Sequence, residues 1–132
     1  MSSFTEPLTV TKVGERLWRV DREFVYCVGE LGSNDRVTVE IGFITDFASV
    51  PQVFWSILPP DGQYTQAAVL HDWLYLKQTR TRKEADKIFL EAMEVLGVAW
   101  WKRNIMYQAV RLFAWIPWNK YKKQNLLKIN AN

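Results

Sequence analysis

The sequence has one cysteine, Cys27, and one histidine, His71. A lone cysteine excludes an internal disulfide framework and a cysteine-rich zinc site, so a packed core has to supply the stability. Long uncharged apolar runs are also missing. The most apolar stretch, Val98 to Ile116, carries Lys102, Arg103 and Arg111, which would be costly inside a bilayer, and no transmembrane segment is expected. The start, Met1 to Pro7, is polar and includes Glu6, so no signal peptide is expected there. Acids are absent from the last quarter: residues 100 to 132 hold seven Lys or Arg and no Asp or Glu, against ten bases and fourteen acids in residues 1 to 99. The net charge of +3 therefore conceals an acidic body and a basic end. No helix-turn-helix, zinc or RNA-binding signature accompanies that basic end, which speaks against nucleic acid as the partner.

What is present suits one domain spanning 1–132: 48% of residues are apolar and 23% charged, enough to bury a core. The first part reads as strands. Leu8 to Val13 alternates apolar and polar, Gly14-Glu15 turns the chain, and Leu17 to Val20 follows. Phe24 to Val28 is continuously apolar and should be buried on both faces. Arg36 to Ile41 alternates again, with Val37, Val39 and Ile41 on one face. A small antiparallel sheet over about 8–45 is predicted.

The part from about 64 to 116 reads as helices. Thr81 with Glu84 is a capping-box pattern, and Ala85, Ile88, Phe89, Ala92 and Leu96 recur at helical spacing until Gly97, predicting a helix over 82–96. Tyr64 to Leu76 lacks Gly and Pro and places Ala67, Leu70, His71, Leu74 and Tyr75 near one face. The short connection from Gln78 to Arg80 makes these two helices an antiparallel pair. A third helix is predicted from Trp100 to Ile116, ended by Pro117, with 117–132 a basic aromatic tail. The fold class is thus α+β: an N-terminal antiparallel sheet packed on a helix hairpin plus a third long helix. The connection from Gly42 to Pro51 spends Thr45, Asp46 and Ser49 among bulky apolar residues, where turn and capping chemistry is the ordinary use of such side chains.

The candidate chemistry gathers around His71. With the hairpin centred near residue 79, His71 lies about eight residues before it and Asp86 about seven after it, so at ~1.5 Å rise per residue both sit at the same height. A carboxylate on one imidazole nitrogen fixes the tautomer and leaves the other nitrogen to take a proton. Tyr75, four residues on from His71, could donate its hydroxyl to Asp86. Asp72 points about 100° around the helix, from where it could hold a hard cation, calcium being the natural choice for oxygen ligands.

The patterns His71-Asp72-x-x-Tyr75 and Ala85-Asp86-x-x-Phe89 resemble the helix pair of the secreted and viral phospholipase A2 families. That resemblance implies a lipid-ester hydrolase with His71 as general base, Asp86 as its partner, Tyr75 in support and Asp72 as calcium ligand. The glycine-rich calcium loop and the disulfides of the secreted enzymes have no counterpart here. A longer resemblance, G-F-x-T-D-F-A-S-V-P from Gly42 to Pro51, then H-D-x-L-Y, then R-x-x-A-D-x-x-F, is to an uncharacterised family of short tailed-bacteriophage and prophage proteins. It implies a phage-encoded protein acting in the host cytoplasm or carried in the virion, with Asp46, His71, Asp72 and Asp86 in one polar constellation and Asp46 beside Asp72 at any metal.

Two functions stay open: a phospholipase A2-like hydrolase, or a non-enzymatic virion or host-interaction protein that keeps the helix-pair scaffold. In the basic end, Trp115, Trp118 and Tyr121 stand among Lys120, Lys122 and Lys123, which suits an anionic membrane or an acidic phage or host protein. Alternatively, Trp101, Ile105, Ala109, Leu112 and Ile116 form a stripe that would pack as core.

Overall fold

The structure, a computed structural model, describes residues 3–15, 17–29, 34–47, 49 and 64–131. Pro51 and the Pro59 to Gly62 segment of the sequence lie outside them. The chain runs β1 (Ser3–Phe4), β2 (Val10–Gly14), β3 (Leu17–Val20), β4 (Phe24–Cys27), β5 (Arg36–Val39) and β6 (Ile44–Thr45). Four helices follow: α1 (Thr65–Lys77), α2 (Arg82–Val95), α3 (Trp100–Phe113) and α4 (Trp115–Ala131). The architecture is α+β, with the antiparallel strands N-terminal and the helices after them.

The expected single sheet is two three-stranded sheets. β4 stands between β1 and β5, and β3 between β2 and β6, all antiparallel. Successive strands β3 and β4 do not pair with each other, and each sheet is completed by a two-residue strand too short to show a period in sequence. Alternation on β5 turns Val37 and Val39 inward, as their spacing requires, but Ile41 falls in the following turn and is exposed. On β4, Phe24, Tyr26 and Cys27 are buried and Val25 is half-buried.

The helix α1 is the centre of the molecule. Every residue from Gln66 to Tyr75 is buried, because α1 packs against α2, α4, β5 and β6 rather than presenting one stripe to a core. That removes the polar face that a peripheral helix would have. Consequently His71 and Asp72 are placed in the interior whichever way they point, and each needs a polar partner there.

The hairpin between α1 and α2 is held at both ends. Gln78 closes α1 in the left-handed conformation, with its N–H on Leu74 O. Thr81 Oγ1 accepts from Glu84 N at 3.1 Å while Glu84 Oε1 accepts from Thr81 N at 3.3 Å, the reciprocal capping box. At the far end of α2, Gly97 at φ +83° lets its own N–H reach Glu94 O and Val98 N–H reach Met93 O, so two orphan carbonyls are satisfied.

The basic end is a helix, not a tail. α3 stops at Phe113, and α4 begins at Trp115 with Pro117 in its first turn, where the missing N–H of proline has no partner to lose. The proline is therefore the start signal of a fourth helix. Gln78 Nε2 on Trp118 O and Asn125 Nδ2 on Leu76 O, each 2.8 Å, bind α4 to α1. No helix among the described residues is long and apolar enough to cross a membrane.

Candidate active site

The i, i+4 spacing sets His71 and Tyr75 on the side of α1 that meets α2, and the short hairpin brings Asp86 opposite them. His71 Nε2 lies 2.7 Å from Asp86 Oδ1, and the Tyr75 hydroxyl donates to the same oxygen at 2.6 Å. The other oxygen, Asp86 Oδ2, accepts from Arg111 Nη1 at 2.7 Å and has Arg82 Nη1 at 3.6 Å. The imidazole is held between the Tyr75 ring, 4.2 Å between centroids, and the Phe89 ring at 4.5 Å. Trp118 meets Tyr75 edge-on at 5.0 Å.

Burial pushes the Asp86 carboxyl up, but the hydrogen bond and charge of His71, then the bonds from Tyr75 and Arg111, hold it below the usual carboxylate range. Asp86 is thus ionised at neutral pH and accepts only. The Tyr75 hydroxyl is pushed well above its ordinary value, by burial first and then by the charge of Asp86, so it stays a donor.

The second imidazole nitrogen, His71 Nδ1, lies 2.9 Å from Ser49 Oγ. Ser49 is positioned by Asp72. The Ser49 backbone N–H donates to Asp72 Oδ1 at 3.0 Å, the Thr45 hydroxyl donates to Asp72 Oδ2, and Phe47 N donates to Thr45 Oγ1 at 3.1 Å. Between these anchors Phe47 sits at φ +59°, a left-handed conformation that a bulky residue seldom adopts. Burial raises the Asp72 carboxyl, the Ser49 and Thr45 hydrogen bonds pull it part of the way back, and the nearby charge of Asp46 adds to the rise.

The sequence-predicted residues divide accordingly. His71, Asp86 and Tyr75 form one cluster, with Asp72 joined to it through Ser49. Half-buried Asp46 acts on Asp72 through its charge. Among the described residues, those around Asp72 do not make a calcium site. That ion takes six to eight oxygen ligands, whereas both Asp72 oxygens already hold protein donors and no group of three His, Cys, Asp or Glu among the described residues could hold a metal. Ser49, Thr45, Arg82 and Arg111 belong to the site although the sequence marked them as turn, helix or charge residues. Arg82 could have been found from its i, i+4 spacing to Asp86. Arg111 had only the weaker signal of a lone base between Val110 and Leu112.

The expected surface of Trp115, Trp118, Tyr121 and three lysines is only partly a surface. Trp115, Lys120, Lys122 and Lys123 are exposed, whereas Trp118 and Tyr121 are half-buried and pack against the core. Burial raises the Tyr121 hydroxyl well above its ordinary value, and the charges of Asp72 and Asp46 add to that.

Two relatives in Sinorhizobium fredii (strain NBRC 101917 / NGR234) are similar to parts of the chain. The uncharacterized protein y4jT is 39% identical over 77 residues, 57% of this chain and 23% of that protein. The uncharacterized protein y4iH is 34% identical over 71 residues, 52% of this chain and 30% of that protein. The chain therefore spans less than a third of the length of either relative. No solved structure gives a significant match. The profile described as protein of unknown function (DUF1353) matches residues 18–110, which run from β3 to α3 and take in Ser49, His71, Asp72, Tyr75 and Asp86, and the chain belongs to that family.

Proposed function

We propose that this protein is a hydrolase of ester bonds in which His71 is the general base, Asp86 the carboxylate that orients it and Tyr75 the hydroxyl that steadies Asp86. The observation that carries this reading is the continuous chain from Asp86 Oδ1 through the imidazole to Ser49 Oγ, with contacts of 2.7 and 2.9 Å. An ionised Asp86 can only accept, so in neutral His71 the proton is on Nε2 and the lone pair on Nδ1. Nδ1 is then free to remove a proton from a hydroxyl, and Asp86 stabilises the imidazolium that results.

A lipid ester is the substrate class that suits the rest of the molecule. On α3 and the start of α4, Trp100, Trp101, Leu112, Phe113 and Trp115 are exposed, and residues 100 to 132 carry seven bases and no acid. Apolar rings beside cations favour the headgroup level of an anionic membrane. A phage-encoded enzyme directed at host lipid follows from the motif resemblance.

One observation favours a second reading, a non-enzymatic virion or host-interaction protein. Ser49, His71 and Asp86 each have 0% exposed surface, as a network that only fixes the hairpin would. Hydrolysis of a nitrophenyl ester and of anionic phospholipid vesicles by the intact chain and by His71→Gln decides between them. Turnover lost in a variant that still unfolds cooperatively supports the enzyme, and no turnover by the intact chain supports the scaffold.

A further inference from the structure

We infer that Ser49 is a nucleophile, so that hydrolysis passes through an acyl-Ser49 intermediate rather than direct attack by water; this rests on the hydrolase reading. Two independent features of the structure carry it. The first is the pairing: in neutral His71, with Nε2–H donated to Asp86, Nδ1 is the acceptor, and the group 2.9 Å from it is the Ser49 hydroxyl. A serine hydroxyl within hydrogen-bond reach of an imidazole that a carboxylate orients is the arrangement that nucleophilic catalysis needs. The second is the loop that delivers it. Thr45 and Ser49 are both tied to the buried Asp72 carboxylate, and the Phe47 backbone between them is held at φ +59°. Ordinary turn chemistry does not require a left-handed phenylalanine, and local strain of this kind persists only where surrounding contacts over-determine it.

The step balances as follows. The Ser49 Oγ–H proton passes to His71 Nδ1 while Oγ forms a bond to the ester carbonyl carbon. The ester C–O bond then breaks and the leaving alkoxide takes the proton from Nδ1. Water next gives one proton to Nδ1 and attacks the acyl carbon, Oγ leaves and recovers that proton, and the carboxylic acid departs. Asp86 and Asp72 are positioning residues in this scheme.

The test uses the full chain with a small sulfonyl fluoride and with a nitrophenyl ester, read by mass spectrometry and stopped flow. Expected are one sulfonyl group on the peptide that contains Ser49, a pre-steady-state burst, and loss of both in Ser49→Ala. His71→Gln should slow labelling by about 100-fold or more. Ser49→Cys, alkylated by iodoacetamide at position 49 faster than at Cys27, guards against a fold defect in Ser49→Ala. Hydrolysis by folded Ser49→Ala at the intact rate, dependent on His71, would overturn the nucleophile and leave a His71-activated water. Absence of both labelling and hydrolysis would overturn the enzyme reading itself.

Discussion

Asp86 is buried with two guanidinium groups, a hydroxyl and an imidazole around it, which makes it a structural anchor whatever chemistry it also serves. An asparagine there would have to aim an amide N–H₂ at one of these donors. Asp86→Asn is therefore expected to destabilise the fold by about 3 to 5 kcal/mol in urea titrations, the usual cost of breaking a buried charge pair. The two arginines on Asp86 Oδ2 are the reason an amide cannot merely fill the same space. Tyr75→Phe keeps the ring contacts and removes one hydrogen bond, so its cost should be about 1 kcal/mol. The acid limb follows from the same residue. A carboxyl held below its unfolded value contributes stability that is complete above the unfolded value and is lost as pH falls through the folded one. The melting temperature should therefore drop as pH goes below about 4, and Asp86→Asn should flatten that drop. Asp72, raised by burial, acts with the opposite sign: its contribution is present at low pH and fades as pH rises through its folded value. A drop below pH 4 that is equally steep in Asp86→Asn would remove Asp86 from this account.

At the scale of elements, α2 was readable because its signals are local. The capping box and Gly97 lie within a few residues of the groups they satisfy, and both act as their sequence pattern requires. Gly97→Ala is expected to cost about 1 kcal/mol, since a Cβ at φ +83° is strained, and Thr81→Ala about the same through the lost cap. Urea unfolding of the two variants measures both, and a change under a few tenths of a kcal/mol would mean that α2 is held by packing alone. The boundary at Pro117 was not readable in the same way. Proline both ends one helix and starts another, and only the following chain, seated on α1 through Asn125 and Gln78, shows which use prevails. The α3 stripe is the sharper case. Of the stripe Trp101, Ile105, Ala109, Leu112 and Ile116, which has the spacing of a core face, only Ala109 is buried; the other four are exposed, and α3 buries Met106 and Val110 beside it. Periodicity shows that a helix has an apolar face, but it does not show what covers it.

For the whole molecule that uncovered face and the charge asymmetry are one feature. Each lysine near an anionic lipid surface contributes about 1 kcal/mol, and exposed rings add apolar burial at the headgroup level. Flotation with anionic but not neutral vesicles is expected, with release at high salt because exposed charges are screened over ~8 Å at physiological ionic strength. Changing Lys120, Lys122 and Lys123 to glutamine should weaken flotation, and Trp101→Ala should do so without altering the salt dependence. Equal recovery with both lipids would assign the face to a protein contact, including a further segment of a longer chain, rather than to a membrane.

Local chemistry in the sequence determined the α+β class, the ends of α2, the antiparallel hairpin and the approach of His71 to Asp86, because each depends on contacts a few residues or one short turn apart. Tertiary structure alone decided the rest. Two sheets form instead of one because β1 and β6 pair with strands distant in sequence. α1 is buried all round because α4 returns to cover it. Ser49 meets His71 because Asp72 spends its oxygens on Thr45 and on the Ser49 backbone. Each of these outcomes is a choice among partners of similar chemistry far apart along the chain, and only the packed molecule selects between them.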